Sequence, residues 1–268
     1  MQLSGWKNNL KERENFMKEI YDYPKYYEIA FSFRDIENEV NVFEKAIKDY
    51  SKIPVKKMLE LASGNSPHIN ELLQRGYSYY GIDLNEEMLR FSSEKSGKSS
   101  KAHFINANIA DFELPEKVDF AYIMLGSLYL NNKENVLSHF RAVADNLKSG
   151  GLYFLDWVIN FEPLNNYDEE WEMEEGNIYI KTEIKGNYVD SLNQVINEKV
   201  TLKINDNGYY FEVSHTAQKR IIFPQEFLLL IELLDDFEFI GWWNNWDLRK
   251  PLKANQKISR PITIIRRK

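Results

Sequence analysis

The chain has 268 residues, enough to bury a sizeable core, and its 43% hydrophobic and 28% charged residues are ordinary proportions for a globular protein. It contains no cysteine, which excludes disulfides, thiolate catalysis and cysteine-ligated zinc, and its four histidines lack metal-ligand spacing, so we expect no metal site. The formal net charge of −7 disfavours a large nucleic-acid contact surface, so we expect no nucleic-acid partner.

The first 50 residues predict helices that are interrupted at Pro24. The opening residues lack the apolar stretch of a signal peptide, and no later apolar run reaches the roughly 18 residues of a membrane span. We therefore expect a cytoplasmic protein without membrane contact. The second helix carries an apolar stripe with spacings of four, three and four residues, which predicts that this helix lies on a sheet. The stripe consists of Ile36, Val40, Phe43 and Ile47.

From residue 55 onward, short β-rich runs alternate with helical segments. The predicted strands are 55–61, 77–82, 103–107, 118–125 and 152–157. The predicted helices are 69–75, 85–95 and 133–147, and Gly150 is expected at the end of the last one, because glycine suits a helix C-terminus. This alternation predicts a parallel sheet with helices on both faces and right-handed crossovers.

After residue 157 the pattern changes to runs rich in β-branched and aromatic residues. Antiparallel strands are predicted at 178–184, 195–204 and 209–220, with a hairpin turn at 205–208 (NDNG), because Asn and Gly accept positive φ. A helix at 224–234 and an edge hairpin at 237–243 and 262–266 complete the prediction. The predicted fold class is therefore α/β, with a seven-stranded, mostly parallel Rossmann-like sheet, helices on both faces and an antiparallel β insert.

This prediction divides the chain into three segments. Residues 1–157 hold the N-terminal helices and the core that binds a cofactor, and residues 158–222 form the β insert, expected to be a lid and substrate platform. Residues 223–268 add the last helix and the edge hairpin that complete the core. The sequence does not indicate an oligomeric state.

Two positions that follow predicted strands have the residue types of a nucleoside site. The loop 60–66 (ELASGNS) has small residues that let the backbone approach a ligand, and Asp83 follows Gly64 by 19 residues. A carboxylate there can accept hydrogen bonds from ribose hydroxyls. The alternatives are an ordinary strand-to-helix turn and a helix cap at Asp83. The loop lacks the Gly-x-Gly-x-x-Gly spacing of dinucleotide sites, which weighs against NAD.

Several runs in this region share a resemblance. Residues 58–64 (MLELASG) resemble the first motif of class I, Rossmann-like S-adenosylmethionine (SAM)-dependent methyltransferases, and residues 81–89 (GIDLNEEML) resemble their second. Residues 108–112 resemble the third-strand loop that holds adenine, residues 119–128 the fourth motif, and residues 147–151 the turn before the fifth strand. The order of the remaining elements is similar to that in small-molecule methyltransferases related to the glycine and sugar-amine N-methyltransferases.

The resemblance implies a set of cofactor-binding residues. The methionine part of SAM would lie at Glu60, Ala62 and Gly64, the ribose at Asp83, the adenine at Leu84, Asn108 and Ile109, the sulfonium over Leu125, and Tyr27 would close over the cofactor. The loop departs from the family pattern at Asn65 and Ser66, which stand where threonine and glycine are usual.

The implied reaction is transfer of the SAM methyl group by in-line displacement to an N- or O-nucleophile of a small-molecule acceptor, with S-adenosylhomocysteine as the product. Such a reaction needs alignment above all, and a general base only for a protonated nucleophile. The alternatives are a non-catalytic SAM-fold binding or partner protein and, less favoured, an NAD-dependent Rossmann oxidoreductase.

Candidate residues for acceptor chemistry are few. Asp156, at the end of the fifth predicted strand, is the candidate general base, ahead of His68 and His215. In the aromatic stretch 242–247, Trp243 and Asn245 are candidate substrate-binding residues, because an aromatic ring can border an amine through cation–π contact. The alternative is that this stretch packs the edge hairpin.

Overall fold

The computed structural model describes residues 19–268. A 3₁₀ turn at Ile20–Asp22 precedes six helices: α1 (Pro24–Ala30), α2 (Ile36–Tyr50), α3 (Ile69–Gln74), α4 (Glu86–Lys95), α5 (Lys133–Asn146) and α6 (Pro224–Leu234). The strands of the core are β1 (Lys57–Leu61), β2 (Ser78–Asp83), β3 (Ala102–Asn106), β4 (Val118–Ile123), β5 (Leu147–Asp156), β10 (Phe237–Trp243) and β11 (Ile262–Arg267). Those of the insert are β6 (Tyr167–Glu175), β7 (Ile178–Asp190), β8 (Val195–Asp206) and β9 (Tyr209–Arg220).

The core is one seven-stranded sheet in the order β10-β11-β5-β4-β1-β2-β3. Strands β1 to β5 are mutually parallel, whereas β11 runs antiparallel to both β5 and β10. The predicted fold class is thereby confirmed. The strand order reverses between β1 and β4, and in open α/β sheets ligands bind beyond the carboxyl ends of the strands at such a switch point.

The N-terminal helices cover one face of the sheet. Val40 and Phe43 of α2 are fully buried against residues of β1, β4 and β5, as the apolar stripe predicts. The chain is interrupted just before Pro24, between the 3₁₀ turn that ends at Asp22 and α1. Pro24 begins α1, because a proline in the first turn gives up only an N–H that has no helical partner. The predicted helices before residue 19 lie outside the described residues.

The end of α5 differs from the prediction. The helix stops at Asn146, and Leu147 already pairs with Val118 as the first residue of β5. Gly150 therefore lies in an irregular part of a strand, where its φ is +85°. A Cβ at this position would be 3.0 Å from Cβ of Lys52, so close approach of the chain after α2 also requires glycine here.

The insert is a four-stranded antiparallel sheet in the order β6-β7-β8-β9. Strands β7, β8 and β9 begin where predicted, although β7 continues six residues beyond the predicted 178–184. The turn at Asn207-Gly208, with φ of +53° and +87°, follows the prediction. Strand β6 was not predicted, because acidic side chains dominate it and Glu is unfavourable in strands on average. Apolar side chains of the insert, such as Ile180 and Leu202, pack with Ile20, Ile29 and Ala30 of the N-terminal segment.

His139 of α5 is a buried titratable group in the core of the main sheet. Its ring is fully buried, Nδ1 donates to the carbonyl of Ile109 at 2.7 Å, and Nε2 accepts from the hydroxyl of Tyr153 at 2.8 Å. Burial disfavours the charged ring and lowers the pKa of His139 to about 4. The folded packing therefore favours the neutral form of the His139 ring.

We expect the stability of the fold to decrease as the pH falls from about 6.5 to about 4, because the unfolded chain binds a proton at His139 in this range and the folded chain does not. A pKa unit corresponds to about 1.4 kcal/mol, so the full effect is about 3 kcal/mol. Urea unfolding at pH 7 and pH 5 measures about 2 kcal/mol of this effect, with His139→Gln as the control. An equal loss of stability in both proteins between these pH values would contradict the assignment.

Candidate active site

A cavity of about 240 Å³ lies at the carboxyl ends of β1 and β4, at the switch point of the sheet. Its walls come from α1 and the turn after it, from the loop between β1 and α3, and from the loop after β4. Five of the residues predicted to bind cofactor line it together: Tyr27, Glu60, Ala62, Gly64 and Leu125.

Residues 62–65 of the loop after β1 line this cavity. Ala62, Gly64 and Ser66 have φ of +51°, +49° and +47°, so the chain turns sharply three times within five residues. No atom would lie within 4 Å of a Cβ on Gly64, so its conformation, not crowding, is what favours glycine. Ser66 adopts the same left-handed region with its hydroxyl bonded to that of Tyr79 at 2.8 Å. The departure from the family pattern is thereby accommodated in the fold.

Asp83 fixes the loop from the end of β2. Its Oδ2 accepts from the backbone N–H of Gly64 at 2.8 Å, and its Oδ1 accepts from that of Asn85 at 2.9 Å. Burial raises the pKa of Asp83, and these two backbone N–H donors oppose that shift. Asp83 is not the helix cap, because the side chain of Asn85 accepts from the N–H of Met88 at the start of α4. A carboxylate offers about four acceptor positions, so roughly two remain for a ligand.

Glu60 lines the cavity, but its carboxylate belongs to a buried polar network. Oε2 accepts from the hydroxyls of Tyr79 at 2.6 Å and Tyr122 at 3.1 Å, and Oε1 lies 3.3 Å from Nδ1 of His68. His68 is itself fully buried, and its Nε2 lies 2.8 Å from Oε2 of Glu39. Each ring nitrogen of His68 thus faces a carboxylate, and this ring joins α2 to β1.

Glu39 continues the network toward two arginines. Its carboxylate accepts from Nη2 of Arg34 at 2.5 Å and from Nη1 of Arg260 at 2.8 Å. Burial alone would raise the pKa of Glu39, but the hydrogen bonds and charges of His68 and Arg34 hold it well below its usual range. Arg34 also lines the cavity, so the network ends at its wall.

Asp156, the predicted general base, lies in a buried ion pair, and its role as a base stays a prediction. It is fully buried, it does not line the cavity, and both of its oxygens are bonded to Arg260, with Nη2 at 2.7 Å from Oδ2. It also accepts from the indole N–H of Trp246 at 2.8 Å and from the backbone N–H of Leu125 at 2.9 Å. Asp156 therefore holds the loop after β4, where Leu125 adopts a φ of +51°. His215, another candidate base, pairs with Glu19 away from the cavity.

The other residues predicted to contact the cofactor lie along the ends of β2 and β3, outside the cavity wall. Leu84 is 67% exposed directly after Asp83, which is an unusual position for an apolar side chain. Asn108 is exposed, and its Oδ1 accepts from the N–H of Ala110 at 2.9 Å. Ile109 packs in the core. Their contact with adenine stays a prediction.

Trp243 and Asn245 are not brought to the cavity. Trp243 is buried beside the end of α2, with its ring 5.2 Å from that of Tyr50. Asn245 lies in an exposed turn with φ of +55°, where its side chain accepts from the hydroxyl of Ser259 at 3.1 Å. The geometry favours the alternative interpretation, in which this stretch packs the edge hairpin.

Sequence reasoning missed two cations that line the cavity, Arg34 and Lys95. Arg34 stands in the turn before α2, and Lys95 ends α4, where its ammonium pairs with Glu28 and donates to the carbonyl of Asn65 at 3.1 Å. Each is a lone basic residue in the sequence, without a motif. Only the fold shows that they share a site.

Within residues 19–268, no group of three or more His, Asp or Glu side chains is arranged to hold a metal ion. In the same range, none of the helices combines the length and apolar character that crossing a membrane requires.

The ion pair between Asp156 and Arg260 yields a stability prediction. We expect Asp156→Asn to lower the free energy of unfolding by about 1.5–3 kcal/mol, because it removes one of the two carboxylates that pair with the partly buried guanidinium of Arg260. Urea unfolding at pH 7 measures the change. Asp168→Asn is the matched control, because Asp168 forms an exposed ion pair with Lys185 and should matter little. Similar effects of the two substitutions would contradict the structural role of Asp156.

Comparisons with known proteins bear on the same region. Residues 58–151 match the family described as a methyltransferase domain. YqeM of Bacillus subtilis (strain 168), whose name describes a methyltransferase, is 31% identical over 115 residues. That match covers 42% of this chain and 47% of YqeM, so the chain spans about half the length of this curated relative.

Two solved structures extend the likeness to the whole fold. KedS8, a sugar N-methyltransferase from Streptoalloteichus sp ATCC 53650, is 15% identical with a TM-score of 0.69, covering 100% of this chain and 99% of KedS8. CalS10, a SAM-bound amino pentose methyltransferase from Micromonospora echinaspora, is 13% identical with a TM-score of 0.70, covering 96% of this chain and 100% of CalS10. Residues 58–151 therefore resemble a methyltransferase domain, and the chain has the class I fold of these solved methyltransferases.

Proposed function

We propose that this protein is a SAM-dependent methyltransferase that acts on a nitrogen or oxygen nucleophile of a small-molecule acceptor. The observation that carries the proposal is the hydrogen bond from the Gly64 N–H to Asp83, which joins the expected methionine and ribose positions at the switch point of the sheet. The cavity lies directly beside this bond, because Gly64 lines it.

The residues present fit the amino-acid end of SAM, which carries one carboxylate and one ammonium group. Arg34 contacts Glu39 through Nε and Nη2, which leaves the two N–H groups of Nη1 for the carboxylate of a ligand. The carboxylates of Glu28 and Glu60 at the same cavity offer negative charge for the ammonium. Opposite charges on one wall suit a zwitterion better than they suit a pyrophosphate.

The remaining contacts would follow the ends of the next two strands. The two acceptor positions left on Asp83 suit two ribose hydroxyls, and the exposed side chain of Leu84 offers an apolar surface for the adenine ring. Asn108 and Ile109 would lie at the edge of that ring. When bound, SAM supplies an electrophilic methyl group on a sulfonium.

The protein's own contribution to the proposed reaction is to position the reacting groups. Asp156 holds the backbone of Leu125, so the floor of the cavity is fixed before any ligand binds. Tyr27 and Phe31 form the opposite wall, with ring centroids 4.5 Å apart, and their apolar surface excludes water from the site. Burial raises the pKa of Tyr27 to about 12, so its hydroxyl stays protonated at neutral pH.

A small acceptor is favoured by the position of the insert, which packs on the N-terminal segment that lines the cavity. The acidic balance of the chain, with a net charge of −7, agrees with this choice over nucleic acid. KedS8 and CalS10 act on sugars, which are also small.

Calorimetry with SAM and S-adenosylhomocysteine tests the proposal. We expect both to bind the wild type and Asp83→Asn to weaken binding at least tenfold, because one carboxylate oxygen that serves the loop and the ribose becomes an amide. Asp145→Asn, at an exposed position on α5, is the control and should bind as the wild type does. Circular dichroism checks that each variant is folded. Binding of NAD in place of either SAM-type ligand would contradict the proposal.

A further inference from the structure

The insert contributes a charged cluster that the cofactor site does not use. Glu198 of β8 is only 7% exposed, and its carboxylate accepts from the hydroxyls of Tyr129 and Tyr167. The ammonium of Lys219, on the neighbouring strand β9, lies 3.2 Å from Oε2 of Glu198. These four residues are the Glu198 cluster, and Tyr129 ties the cluster to the loop after β4.

The Glu198 cluster lies beside the floor of the cavity. Gly126 follows Leu125, and a Cβ on Gly126 would be 3.7 Å from Nζ of Lys219. Ser127, the next residue, lines the cavity again. Burial chiefly raises the pKa of Tyr27, which lines the cavity, and the charge of Glu198 adds to that shift.

Burying a carboxylate here costs free energy unless the group binds a ligand or is well paired. Burial would raise the pKa of Glu198, but Lys219 and the two tyrosine hydroxyls outweigh burial and lower it. The group is therefore held as an anion in a nearly closed site. Replacing such a pair with apolar side chains is often neutral or stabilising, so stability alone does not explain it.

The hydrogen bonds of Glu198 leave room for a ligand. Oε2 accepts from Tyr167 and Lys219, whereas Oε1 accepts from Tyr129. Because each carboxylate oxygen has about two acceptor positions, Oε1 can accept one further N–H or O–H. An ionised carboxylate cannot donate, so it discriminates against groups that only accept hydrogen bonds.

We infer that Glu198 is the acceptor-binding residue of the site, and that Oε1 accepts a hydrogen bond from an amine or hydroxyl group of the small molecule to be methylated. Tyr129, Tyr167 and Lys219 hold the carboxylate toward the loop at Leu125, Gly126 and Ser127. This inference rests on the proposed function, because it assigns a partner to the same site.

Binding of sugar probes to the protein loaded with S-adenosylhomocysteine tests the inference. The probes are glucosamine and glucose, which carry N–H or O–H donors, and penta-O-methylglucose, which has a similar ring without donors. We expect saturation-transfer NMR to detect the first two and not the third. We also expect Glu198→Gln to weaken the better donor probe about tenfold or more, because the charge-assisted hydrogen bond is lost. Glu212→Gln, at an exposed position on β9, should leave its binding unchanged.

The outcomes separate the two proposals. Calorimetry should show that Glu198→Gln still binds S-adenosylhomocysteine, because Glu198 does not line the cofactor cavity. If the wild type does not bind S-adenosylhomocysteine, the proposed function is wrong. Normal cofactor binding with no donor probe bound, or with donor probes unaffected by Glu198→Gln, overturns the role of Glu198. If Glu198→Gln does not fold, Glu198→Asp keeps the charge, withdraws the carboxylate by one methylene, and should give the same loss.

Discussion

The structure depends on a buried chain of ion pairs near the carboxyl ends of the sheet strands. Arg260 bonds both Asp156 and Glu39, and His68 lies between Glu39 and Glu60. Charges removed from water must be paired, so each member of the chain fixes the next. One set of contacts therefore joins α2, β1, β5 and the segment before β11, which are far apart in the sequence.

This chain of contacts also shapes the cavity. At one end, Glu60 bonds the hydroxyl of Tyr79, which also bonds Ser66 in the loop after β1. At the other end, Asp156 holds the N–H of Leu125 after β4. The two walls at the switch point are thus parts of a single network. A site built this way is largely formed before a ligand arrives, which suits a reaction that requires alignment more than acid–base chemistry.

The sequence predicted the β–α core well because local periodicity and turn residues determine it. The α6 and β10 boundaries agree with the prediction, since Pro224 marks the start of that helix. The role of Asp156 was beyond prediction, because Arg260 stands 104 residues later and only the fold brings them together. Trp243 was ambiguous for another reason: a large aromatic ring suits a core and a binding site equally.

The unpredicted strand β6 has a consequence for association between molecules. It is the edge of the insert sheet, and an unpaired edge is a template for a strand of another chain. Carboxylates on this edge repel an identical edge. The same acidic residues that made the strand hard to predict therefore protect the insert from aggregating through its backbone. They are Asp168, Glu169, Glu170, Glu172, Glu174 and Glu175.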